Sequence, residues 1–211
     1  MIKNIIFDLA GVLLNLDLEQ DTRALHSLGL PDFDECLRRP EICRPTLAYL
    51  NGILPGPDFC HQIRPLCRAG VTDQEILAGM DAVLGDLPLS RLEWLKELRQ
   101  KYRVFLLSNL NESAWQYTQR QFAAHGVNPN DCFDQIFLSY QLQLAKPDPR
   151  IYQHVIAETG ILPAETLYFD DTRENVEAGN ALGLHSVLVP MNQLEEIVNF
   201  LSRKSENVYR F

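Results

Sequence analysis

The chain has 211 residues, of which 46% are hydrophobic and 22% charged, with a net charge of −9 and a pI of about 5.0. These are ordinary values for a globular protein of one domain, or of one domain with an insert. The acidic balance argues against nucleic acid and anionic membranes as partners, and no apolar run reaches the roughly 20 residues that a bilayer requires.

In chain order, the first β-like run is Ile2 to Asp8, which ends on a carboxylate just before Leu9-Ala10-Gly11. An aspartate inside the apolar start, with no small-residue cleavage site, predicts no signal peptide and a cytoplasmic location. From Asp17 to Pro88 the chain holds seven of its twelve prolines, four of its five cysteines and no long strand. Leu18 to Leu28, Asp58 to Cys67 and Thr72 to Leu84 read as helices. This stretch is a helical insert, placed directly after the first strand, where it would cover the strand ends like a lid. The expected division is a core of residues 1–16 and 89–211, with a helical cap of residues 17–88.

Beyond the insert, strands and helices alternate. Leu89 to Gln100 carries leucines at helical spacing. Tyr102 to Ser108 reads as a strand, Asn111 to His125 as a helix and Gln135 to Ser139 as a strand. A helix starts at Pro149, a favourable first-turn residue, and runs to Thr159. Thr166 to Asp170 is a strand, Arg173 to Leu182 a helix stopped by Gly183, and His185 to Val189 a strand. Such alternation predicts an α/β fold, a Rossmann-like parallel sheet of five or six strands flanked by helices. The tail, Ser202 to Phe211, is polar and expected to be mobile.

Cys36, Cys43, Cys60, Cys67 and Cys132 are odd in number and lack C-x2–4-C spacing, which argues against disulfides and a zinc site. The seven-residue spacing of Cys36/Cys43 and Cys60/Cys67 suggests apolar positions on single helix faces. His125 and His154 read as surface or helix-end groups, and His185 has no partner in sequence. Trp94 and Trp115 read as packing residues, and Arg38, Arg39, Arg44 and Arg64 as solvated insert surface. Tyr49 is a candidate for the insert's inner side.

Four short signals carry chemistry. They are Asp8 at the end of the first strand, Ser108-Asn109 at the end of Val104 to Leu107, Lys146 ahead of a helix start, and Asp170-Asp171 at the end of Tyr168-Phe169. Each is weak alone. In this order, at strand ends where open α/β sheets bind ligands, they form one constellation. Converging carboxylates need a cation or a proton, and a divalent metal between Asp8 and Asp170-Asp171 would let an anionic phosphate approach an aspartate nucleophile. Ser108 and nearby N–H groups can hold phosphoryl oxygens, and Lys146 supplies positive charge.

With these motifs the chain resembles the haloacid dehalogenase superfamily of hydrolases, in its phosphatase branch. Within it, Ala145 to Tyr152 and Tyr168 to Gly179 resemble bacterial sugar-phosphate phosphatases of the α-D-glucose-1-phosphate phosphatase type. The resemblance implies a Mg²⁺-dependent phosphatase acting on a small phosphorylated metabolite through an aspartyl-phosphate, as a monomer or homodimer. It implies Asp8 as nucleophile, with Ser108, Asn109 and Lys146 on the phosphoryl group. Asp8, the Ala10 carbonyl, Asp170 and Asp171 would hold the metal, Asp171 as the surer direct ligand. The family pattern usually places a second aspartate, the general acid/base, where this chain has Ala10. Such a group is typically worth about 10²–10⁴-fold. Asp17 is a remote substitute, with a helix N-cap as its plainer role.

Ala10 opens two further readings. Phosphonoacetaldehyde hydrolases share it but need a cap lysine, and residues 17–88 contain none. A haloacid dehalogenase would favour an aromatic residue at position 10 and would not need Asp170-Asp171. A catalytically weak or inactive phosphate-binding protein is the remaining alternative.

Overall fold

The computed structural model describes residues 1–195; the predicted mobile tail, Ser202 to Phe211, lies outside them. Among the described residues five strands form one parallel sheet: β1 (Asn4–Phe7), β2 (Arg103–Ser108), β3 (Gln135–Leu138), β4 (Thr166–Asp170) and β5 (His185–Leu188). Their order is β3-β2-β1-β4-β5. The chain builds outward from β1 on one side and then returns to its other side. The carboxyl ends of β1, β2 and β4 therefore lie together at the point where the winding reverses, the ligand-binding position of such sheets.

Successive side chains alternate across the sheet. Phe7, Val104, Leu106 and Phe169 pack with Leu92, Leu95, Trp115 and Phe122, from α6 (Leu89–Leu98) and α7 (Glu112–Ala124). Ile6, Phe105, Leu107 and Tyr168 pack with Ile151, Tyr152 and Val155 on the other face, where α10 (Pro149–Thr159) lies beside α11 (Arg173–Ala181). Two one-turn helices, α8 (Pro129–Cys132) and α9 (Ser139–Leu142), flank β3.

The insert comprises α1 (Leu18–Ser27), α2 (Phe33–Arg38), α3 (Pro40–Leu50), α4 (Gly56–Ile63) and α5 (Asp73–Asp81). It has an apolar cluster of its own around Leu25, Ile42, Phe59, Ile63 and Ile76. Its two connections pair with each other: Asn15 N–H donates to Asp86 O, Gly85 N–H to Asn15 O and Asp17 N–H to Val83 O. The insert touches the segments that follow β2 and β3. Tyr49 stacks on Phe59 and places its hydroxyl 3.1 Å from Ser113 Oγ, and Gly52 lies against Leu110 and Tyr140.

Several local expectations shift. Helices α2 and α3 occupy a proline-containing stretch for which the sequence predicts no helix; Pro40 starts α3, and Pro45 lies inside it. The helix expected from Asp58 to Cys67 stops at Ile63 and ends in a 3-10 turn, Arg64–Leu66. The cysteine pairs do not share helix faces, because each straddles a helix end. All five cysteines are free; Cys36, Cys60 and Cys132 are buried, Cys43 and Cys67 half-buried. Asp17 is the N-cap of α1, accepting from Gln20 N–H. Trp94 meets Phe7 edge to face. Arg39 and Arg64 pair with Glu35 and Asp73. His125 caps α7 and contacts Leu87 O, His154 lies edge-on to Phe137, and His185 contacts Ala164 O. No helix among the described residues is long and apolar enough to cross a membrane.

Candidate active site

Asp8 leaves β1 at the sheet's carboxyl edge, its N–H donating to Phe169 O of the neighbouring strand. The chain then coils tightly: Leu9 O accepts from Leu13 and Leu14 N–H. Buried Arg91 of α6 clamps this coil, donating through Nη1 to Val12 O and Leu13 O at 2.9 Å each while pairing with Glu195. Thus Asp8 Oδ1 is fixed at 2.7 Å from Leu9 N, where it also accepts from Ser108 Oγ at 2.9 Å.

Lys146 is buried and joins two motifs. Its Nζ lies 2.9 Å from Asp8 Oδ1 and 2.6 Å from Asp170 Oδ2, and donates to Leu107 O at 3.0 Å. Burial alone would lower the affinity of this amine for its proton, but the charges of Asp170 and Asp8 outweigh it and hold the ammonium firmly protonated. Asn109 positions the lysine. Its Nδ2 donates to Lys146 O and its Oδ1 accepts from Lys146 N–H, both at 2.8 Å. The latch uses one of the two Asn109 Nδ2 hydrogens and one lone pair of its Oδ1.

The two adjacent aspartates differ. Asp170 is fully buried. Its Oδ2 accepts from Lys146 and Tyr168 Oη, and its Oδ1 from Thr172 N–H at 2.8 Å and Asn175 Nδ2 at 3.0 Å. Burial works against ionisation of this carboxyl, yet Lys146 and these donors keep its pKa below the usual value. Asp171 is half-buried, with one long contact from Thr172 Oγ1 at 3.4 Å. Burial and the charge of Asp170 raise its pKa. Asp171 therefore has lone pairs to spare where Asp170 has few.

Asp8, Asp170 and Asp171 each offer an oxygen within 4.8 Å of the others. Three carboxylates against one ammonium leave an excess of two negative charges, and the donors are all hard oxygens, a set suited to a Mg²⁺-sized divalent cation. Burial, opposed by Lys146 and aided by Asp170 and Asp171, pushes the Asp8 carboxyl up to about 7; a bound cation reverses that local balance. Gly11 belongs to the same cradle. It has φ +80°, and a Cβ there would lie 2.2 Å from Asp171 Oδ2.

The structure thus brings Asp8, Ser108, Asn109, Lys146, Asp170 and Asp171 to one sheet edge. Ala10 lies in the coil after Asp8 and faces a cavity of about 460 Å³ between insert and sheet, which Asn109 also lines. Sequence reasoning missed the supports Arg91, Gly11, Tyr168 and Asn175. Tyr168 was findable, since it stands two residues before Asp170 and so on the same face of β4.

The pattern of the haloacid dehalogenase-like hydrolases matches residues 2–183. The chain belongs to this family. It is 33% identical over 187 residues to the D-ribitol-5-phosphate phosphatase of Bacteroides thetaiotaomicron, covering 88% of this chain and 91% of that protein. It is 30% identical over 186 residues to the sesquiterpene phosphatase astK of Aspergillus oryzae, covering 86% and 87%. Among solved structures, a haloacid dehalogenase-family enzyme from B. thetaiotaomicron superposes with a TM-score of 0.85 at 31% identity, over 94% of this chain and 98% of that one. The wild-type form of that enzyme in complex with magnesium and inorganic phosphate superposes with a TM-score of 0.78 at 30% identity, over 91% and 96%. This family member is a phosphatase-type hydrolase with the parallel α/β core of its relatives.

Proposed function

We propose that this chain is a Mg²⁺-dependent phosphatase that hydrolyses a small phosphomonoester through a phosphorylated Asp8. The observation that carries the reading is the junction of Asp8, Ser108, Lys146 and the Asp170-Asp171 pair at one strand edge. Asp8, Asp171 and Asp170, with the Ala10 carbonyl, would hold the ion, Asp171 most directly. When bound, Mg²⁺ supplies charge neutralisation that lets a phosphate dianion meet a carboxylate.

The steps belong to the protein's own groups. An Asp8 carboxylate oxygen attacks phosphorus as the ester oxygen departs, which forms an acyl phosphate and releases an alkoxide that takes its proton from water. Ser108 and the backbone N–H groups beside it hold the phosphoryl oxygens, and Lys146 faces the charge that builds on them. Water then attacks phosphorus, and inorganic phosphate leaves with Asp8 regenerated. Position 10 offers no proton to the leaving alcohol, so esters of acidic alcohols should react fastest. We take residues 17–88 as a cap that admits substrate and excludes bulk water, and small phosphorylated metabolites as the partners.

The substrate has two supported readings. The resemblance to α-D-glucose-1-phosphate phosphatases and the relative named for D-ribitol 5-phosphate favour a sugar or polyol phosphate. The relative named for sesquiterpene phosphate hydrolysis favours an apolar ester. Hydrolysis of an aryl phosphate, with and without Mg²⁺, tests the reaction itself. Turnover that requires Mg²⁺ and vanishes in Asp8→Asn is expected. No turnover above the Asp8→Asn level would leave a phosphate-binding protein without catalysis.

A further inference from the structure

The cavity between insert and sheet holds about 460 Å³, within the range of small-molecule pockets. Its walls are predominantly aliphatic, with Leu25, Leu30, Ile42, Met80, Leu84 and Leu110 among them. Apart from Asp21 its polar residues are few, Asp34, Thr46, Asp81, Asn109 and Asn111, and several of them are already bonded within the protein. Asn109 bonds through its amide to Lys146. Asp81 and Asn111 are both tied to Ser113, and Asp34 is exposed.

Asp21 differs from these. It stands on the same face of α1 as Leu25 and lines the cavity, with only 7% of its surface exposed. Among the described residues no group hydrogen-bonds to its carboxyl or forms an ion pair with it. A buried, unpartnered carboxyl on an apolar wall is costly unless something arrives to meet it.

On the phosphatase reading above, we propose that the substrate's alcohol is largely aliphatic and carries one hydrogen-bond donor, a hydroxyl or an amine, which Asp21 accepts from the insert side. A polyol would set several hydroxyls against walls that are mostly aliphatic, each hydroxyl left unmet weakening binding about tenfold. A hydrocarbon gains up to about fourfold for every methylene buried there.

The test measures binding by calorimetry on Asp8→Asn protein with Mg²⁺, so that it does not depend on turnover. The ligands are butyl phosphate, octyl phosphate, its ω-hydroxy and ω-amino forms, and a pentitol phosphate. Octyl phosphate should bind at least about tenfold tighter than the butyl and pentitol esters. The ω-hydroxy or the ω-amino group should add about tenfold more, and whichever does so identifies the donor. A further Asp21→Leu change should erase that gain and leave octyl phosphate bound at least as tightly. If Asp21→Leu lowers the melting temperature enough to unfold the protein, Asp21→Asn should still reduce the gain. Tighter binding of the pentitol ester, or an ω-group effect indifferent to both Asp21 variants, would overturn the assignment. Failure of the phosphatase reading shows separately, as absence of Mg²⁺-dependent aryl phosphate turnover in the wild type.

Discussion

Gly11→Ala tests the metal cradle at one atom. A Cβ at position 11 would fall 2.2 Å from Asp171 Oδ2 and 2.9 Å from its Cγ. Restoring ordinary van der Waals contact requires the carboxylate to retreat by about 1 Å or more. Mg²⁺ accepts oxygen only at about 2.0–2.1 Å in near-octahedral geometry, so a displacement of that size removes Asp171 as a direct ligand. Disturbing even the supports of a ligand weakens metal binding about 10–100-fold; displacing the ligand itself should do at least that. The substitution also places alanine at φ +80°, which costs about 1–2 kcal/mol. Gly126→Ala is the control, since it shares a positive φ of 65° and has nothing within 4 Å of the added Cβ. Calorimetric Mg²⁺ titration should give a large affinity loss for Gly11→Ala and none for Gly126→Ala, while chemical denaturation should show the positive-φ cost in both and a larger loss in Gly11→Ala, where the added Cβ also displaces Asp171. Unchanged Mg²⁺ affinity in Gly11→Ala would refute the placement of the ion against Asp171.

Other substitutions separate the remaining parts. Asn109→Ala removes both bonds to the Lys146 backbone; a stability loss of about 1–3 kcal/mol and about a tenfold fall in kcat are expected, and an unaltered kcat would show that Lys146 holds its place unaided. Asp21 is pushed up to about 6 from 3.8 by burial. The fold therefore favours its protonated form, and stability is lost as pH rises from about 4 through about 6. Asp21→Asn should raise the melting temperature above pH 6, by at most about 3 kcal/mol of stability, with no gain below pH 4. A pH-independent difference would contradict that origin. Ala10→Asp should speed hydrolysis of alkyl phosphates, up to about 10²–10⁴-fold, and change aryl phosphates little. No gain, with fold and Mg²⁺ binding intact, would mean that leaving-group protonation is handled elsewhere.

The sheet was legible because its strands are short apolar runs ending in polar residues, and the order of Asp8, Ser108, Lys146 and Asp170-Asp171 pointed to one edge. The supports were less visible. Arg91 acts across 79 positions on Val12 O, and nothing local marks it as a clamp. The amide of Asn109 suggested a phosphoryl ligand, yet its partner is the backbone of Lys146, a pairing that only the folded chain displays. Helices α2 and α3 were hidden by prolines that signal breaks when read locally: Pro31 precedes the α2 N-cap, Pro40 opens α3 and Pro45 lies inside it, and the insert's apolar cluster holds both helices. The burial of Asp21 depends on how five helices meet the sheet, and no periodicity along α1 foretells an acid facing a cavity.

The role of Asp8 as nucleophile is tested most directly by the stereochemical course at phosphorus, measured with a phosphomonoester made chiral by oxygen isotopes and transferred in part to an acceptor alcohol. Two successive displacements, first by Asp8 and then by the acceptor, give net retention, the expected result. Net inversion would mean that the acceptor attacks phosphorus directly, and Asp8 would then be a metal ligand and nothing more.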